Sequence, residues 1–137
     1  MNREEALELL QHHSFTHPDY KHAKSEKGHL GMLRPFTGLY DENFHELMHI
    51  LKVLAHDFQQ EKLEREIISN FWGICQLSRA WGVEEGGMLR KNKLITPEQI
   101  NKLSDWTDCI SYTVLCLLDN QGEEESFSLY HLEYPQE

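Results

Sequence analysis

An all-α fold is expected for this chain of 137 residues, a compact single-domain bundle (1–137) of four main helices with two long loops. Three observations predict it. Apolar residues recur at i, i+3, i+4 spacing over four segments, near 3–11, 42–60, 62–81 and 97–119. Helix-start and helix-stop residues flank the longer segments. The length fits about one domain, and three Trp, six Phe and five Tyr can bury enough surface to offset chain entropy.

The first segment, 3–11, sets Ala6, Leu7, Leu9 and Leu10 behind acidic residues that suit a helix N-terminus. The second, 42–60, carries Phe44, Leu47, Met48, Leu51, Leu54, Ala55 and Phe58 as one stripe, with Asp41 as its expected N-cap. The third, 62–81, has a broad apolar face from Leu63 to Trp81 and is stopped by Gly82 and Gly86-Gly87. Following the second after a turn, it is expected to pack antiparallel on it. The fourth opens with Thr96-Pro97-Glu98-Gln99, a capping box with proline at the first helical position. It is apolar on more than one side between Ile110 and Leu118, which predicts the most buried helix of the bundle, with Leu115 and Leu118 in the core or in a subunit contact. The tail, 123–137, is expected as a short helix or an extended arm.

Residues 12–40 and 82–95 separate helices as long ordered loops. Helix connections usually take about 2–8 residues, and longer ordered ones often carry function. Both loops contain the same tetrapeptide, Gly31-Met32-Leu33-Arg34 and Gly87-Met88-Leu89-Arg90. Beyond it Leu39 aligns with Ile95, Glu42 with Glu98, Phe44 with Ile100 and Leu47 with Leu103, which suggests an internal helix–loop–helix duplication. Arg34 and Arg90 are then candidates for anion binding ahead of a helix, or for anchoring their loops on helix carboxylates or carbonyls, the preferred reading.

Thirteen Lys and Arg face 23 Asp and Glu, a net charge of −10. That field disfavours nucleic acid and anionic membranes as partners. The Met1–Glu5 stretch is too acidic and polar for a secretory signal, and no apolar run approaches the roughly 18–20 residues of a membrane span. Cys75, Cys109 and Cys116 are odd in number and fit neither a disulfide framework nor a zinc knuckle. They read as buried hydrophobes in a reducing, cytoplasmic setting.

Nine histidines, eight of them before residue 57, are the oddest feature of the composition. His12, His13, His17, His22 and His29 lie in or beside the first loop. His45, His49 and His56 fall within about 40° of one another on a helical projection, as a row away from the apolar stripe. His45-Glu46-Leu47-Met48-His49 matches the HExxH pattern and in these five residues resembles the zincin metalloproteases. The resemblance implies zinc on His45 and His49 with Glu46 as general base and Glu66, His56 or a residue of the fourth helix as third ligand. From the histidine spacing alone, the third-ligand candidates are Glu42, Glu46, His17 and His22. Nothing in the sequence fixes that third ligand, and no strand lines a cleft. The row is therefore expected to be a solvated helix face. Metal binding, zinc or another divalent ion, or metal-dependent hydrolysis is the alternative.

Glu61 with Glu64 and Asp105 with Asp108 have i, i+3 spacing and resemble the carboxylate pairs that hold magnesium in all-helical nucleotide pyrophosphohydrolases. Both pairs also sit where helix dipoles favour acids. Phosphate-cradle and nucleophile-elbow motifs are absent from the sequence. The expected function is a non-enzymatic protein–protein interaction or self-associating module without a cofactor. Its partner would be another protein or a second copy, met through the 97–119 helix as a homodimer.

Overall fold

The structure, a computed structural model, describes residues 1–135. The regular structure of the described residues is helical, with one isolated bridge, Leu33 to Phe36, and no strand among them. The four main helices are α1 (Arg3–His13), α4 (Asp41–Leu54), α5 (Arg65–Ser78) and α7 (Pro97–Leu118). Between α1 and α4 the chain forms two short helices, α2 (Ala23–Glu26) and α3 (His29–Leu33). A single short helix, α6 (Met88–Lys91), occupies the second long loop. Two more, α8 (Glu123–Ser126) and α9 (Ser128–Glu133), form the described part of the tail, so the tail is helical and not an extended arm; the rest of the 123–137 stretch lies outside the described residues.

Helix ends follow local chemistry. Asn2 caps α1 by accepting from the Glu5 amide. Thr96 and Gln99 make both bonds of the capping box at the head of α7, with Pro97 next. The expected Asp41 cap is corrected: Tyr40 is the cap position, and Asp41 is already helical. Its carboxylate turns outward to the Lys102 ammonium, 2.6 Å away. The second segment is α-helical only to Leu54 and closes as a 3₁₀ turn, Ala55–Gln59. The third widens at its end into a π-helical turn, Arg79–Val83.

The main helices form a ring: α1 packs on α4 and α5, and α7 packs on the same two. Consecutive α4 and α5 thus lie across the bundle and do not pack along one another as expected. The intervening turn sets them apart, Phe58 reaching Phe71 with ring centres 6.2 Å apart. The core is centred on α4, whose Phe44, Leu47, Met48, Ile50, Leu51 and Leu54 are fully buried. Phe44 lies flat on Trp106 of α7, with ring centres at 5.4 Å and planes 5° apart. Aromatic stacking adds to the area buried by both rings.

Helix α7 departs from expectation. Leu103, Trp106, Ile110 and Leu117 are buried, but Leu115 is 63% exposed and Leu118 half-buried. The second apolar side of α7 is therefore a surface and not core. No helix among the described residues is long and apolar enough to cross a membrane.

The repeated tetrapeptides occupy different registers. Gly31 lies inside α3, whereas Gly87 is the cap position of α6. Both glycines nonetheless serve one purpose, since a side chain on either would strike backbone carbonyls, Ser25 O at Gly31 and Ala80 O at Gly87. The two arginines meet at the π-turn. Arg34 lies over the Trp81 ring at 5.5 Å, and Arg90 donates to the Val83 carbonyl at 2.8 Å.

Candidate functional site

The histidine row of α4 splits among separate partners. His45 Nδ1 is hydrogen-bonded to Tyr130 Oη of α9 at 2.7 Å. Glu46 turns inward, its Oε1 2.8 Å from His13 Nε2. His49 is exposed. His56 sits in the 3₁₀ turn, off the α-helical line, and accepts from Gln60 Nε2 at 2.9 Å. The Glu46 carboxyl is held below the usual carboxylate range, first by the hydrogen bond from His13. It is thereby a structural acceptor, engaged away from any position shared by His45 and His49. The other suggested ligands are dispersed too: Glu42 is exposed, Glu66 accepts from Gln11 at 2.7 Å, and His22 caps α2. Among the carboxylate pairs, Glu64 holds Arg3 at 2.6 Å and Asp108 meets Arg79 at 3.2 Å.

Loop histidines carry the polar interior instead. His13 Nδ1 accepts the His29 backbone N–H at 3.0 Å, so its proton resides on Nε2 and points to Glu46. One imidazole thus ties the end of α1 to both α3 and α4. His29 is fully buried, with Nε2 3.2 Å from Ser78 Oγ of α5. Burial, with His13 close by, pushes its pKa down to about 3, so the ring is neutral.

An apolar groove of about 240 Å³ lies between α5 and α7. Ile68, Trp72 and Cys75 form one wall, and Val114, Leu115 and Leu118 the other. Trp72 is 73% exposed and stands beside Leu115 at its rim. Arg79 is the one charged residue lining it, and that charge is compensated by Asp108. Both walls arise from amphipathic helices carrying more apolar residues than the core can accept. Periodicity registers that excess without showing which residues face outward.

All three cysteines are unpaired thiols and buried. Burial raises Cys75 to about 11 and Cys109 to about 12, which makes both poor nucleophiles. In comparisons with protein families, curated proteins and solved structures, nothing matches the chain. The reading of function therefore stands on this geometry alone.

Proposed function

We propose that the chain is a non-enzymatic interaction module that pairs with a second copy of itself through the α5–α7 face. The observation that carries this reading is an apolar groove with an exposed Trp72 on one wall and an exposed Leu115 on the other. Tryptophan is the residue most enriched among those that dominate interface energy, and it anchors best in a pocket. A knob beside a hole is self-complementary under a two-fold axis, where each copy fills the other's groove. The net charge of −10 opposes pairing of two copies in general, and the one charge lining this groove, Arg79, is compensated by Asp108. The unpaired buried thiols support a reducing setting, the cytoplasm.

Sedimentation velocity across a concentration series tests the reading. The wild-type chain is expected to dimerise, and Leu115→Asp to remain monomeric with an unchanged thermal midpoint. A wild type that stays monomeric into the millimolar range would refute it. So would a Leu115→Asp protein that still dimerises.

A further inference from the structure

A second cluster, remote from the groove, is built at the C-terminal end of α1. Glu8 and His12 are one helical turn apart on α1. Phe15 then adopts a left-handed backbone, with φ of 57°, and reverses the chain. The reversal lays His17 back over His12, ring centres 3.9 Å apart and planes within 14°. His22 approaches His12 from another side at 4.9 Å. Within the described residues, Glu8, His12 and His17 are the one group of His, Cys, Asp and Glu whose ligand atoms all lie within 4.8 Å of one another. The suggested His45, His49 and His56 set is not such a group.

His12 Nδ1 lies 2.6 Å from Ser25 Oγ, and that hydroxyl has the Asp19 carbonyl at 3.4 Å as an acceptor for its own proton. In the tautomer in which the ring donates to Ser25, His12 carries its proton on Nδ1 and leaves the Nε2 lone pair available. Metal-ligating histidines are set up in this way, with the far ring N–H fixed by an outer partner. The Glu8 carboxylate lies 3.4 Å from His17 Nε2. Two ligand atoms on one tetrahedral zinc are separated by about 3.3–3.4 Å when bonds are about 2.0–2.1 Å. Glu8 and His12 border a solvent-open groove of about 260 Å³ whose rim includes His22 and Lys24.

Without an ion the cluster is a poor structural device. The His12 ring is in contact with those of both His17 and His22, an arrangement that gathers lone pairs with no cation between them. A divalent ion turns the same lone pairs into bonds. We propose that Glu8, His12 and His17 form a binding site for a divalent first-row metal ion, with zinc the best match to two imidazoles and one carboxylate. In the metal-free chain His17 Nδ1 accepts the Asp19 N–H at 3.0 Å, so the His17 proton is on Nε2. Binding moves that proton to Nδ1 through solvent and releases the Asp19 amide from the turn. The ring keeps one proton throughout, shifted from one nitrogen to the other.

The test uses untagged, chelator-stripped full-length protein, titrated with Zn²⁺ by calorimetry and with Co²⁺ by visible absorption. One equivalent is expected to bind, with Co²⁺ bands of four-coordinate character and a perturbed Asp19 amide resonance. Glu8→Gln alters an exposed side chain, and His17→Asn retains an acceptor for the Asp19 N–H, so both are expected to fold. Each should weaken Zn²⁺ at least tenfold, whereas the His45→Ala/His49→Ala double variant should bind as wild type does. Absence of saturable Zn²⁺ binding in the micromolar range would overturn the proposal. Undiminished affinity in both single variants, or loss in the His45/His49 double variant, would do the same.

Discussion

Acid should destabilise this protein through His29 over a defined pH window. Its ring is wholly buried, reaches Ser78 through Nε2, and has no hydrogen-bond partner for Nδ1 among the described residues. The folded-state pKa of about 3 lies well below the ordinary histidine value of 6.5. Above that value the ring is neutral in both states and contributes nothing to the pH dependence. Below it the unfolded chain takes up a proton that the folded chain refuses, so stability falls with pH until the folded value is reached. The slope is at most about 1.4 kcal/mol per pH unit, which gives about 2 kcal/mol between the ordinary histidine range and about pH 5. Glu46, whose folded pKa is depressed, loses its contribution only below the ordinary carboxylate value and stays outside this window. His29→Gln keeps a polar group toward Ser78 without titrating, and the backbone N–H that serves His13 is unchanged. Urea denaturation of wild type and variant at about pH 7 and about pH 5 should show a variant less acid-sensitive by about 2 kcal/mol. Equal losses in the two proteins would refute the assignment.

Other perturbations have expected outcomes from packing and backbone geometry. Phe44→Ala removes the ring stacked on Trp106 and should cost about 3–5 kcal/mol by denaturant unfolding. Thr96→Ala breaks the capping box of α7 and should cost about 1 kcal/mol by the same measurement. Two glycines should respond in opposite directions. The added methyl in Gly31→Ala meets the Ser25 carbonyl and must displace backbone, lowering the thermal midpoint. In Gly73→Ala it meets nothing within 4 Å inside α5, and removing the glycine's chain entropy should add about 0.5–1 kcal/mol.

The long helices were legible because burial of one face imposes a 3.6-residue rhythm, and because Thr96-Pro97-Glu98-Gln99 declares its own start. The short helices α2, α3 and α6 have four or five residues, too few to display a period. They persist through tertiary ties such as the His13 bond to the His29 amide. Of the two places the sequence allows for Leu115, core or subunit contact, the core is excluded by its exposure, for a related reason: hydrophobicity marks a preference for leaving water, and a groove wall satisfies it only when something else arrives. The HExxH string was visible, but its Glu46 is claimed by His13, 33 residues away in sequence. The Glu8–His12–His17 grouping depends on one left-handed residue, Phe15, a bulky type that seldom adopts such a backbone. A pattern read along the chain passes straight through that reversal.

The π-turn at Arg79–Val83, gripped from one loop by Arg34 and from the other by Arg90, has a consequence for how the molecule opens. Long loops ordinarily fluctuate independently and exchange their amide hydrogens at individual rates. Here each loop holds the same five-residue turn, so releasing one removes part of the support of the other. Residues 28–34 and 82–91 are therefore expected to share part of their hydrogen-exchange protection through this turn. Loosening of either arginine would be felt as faster exchange across both.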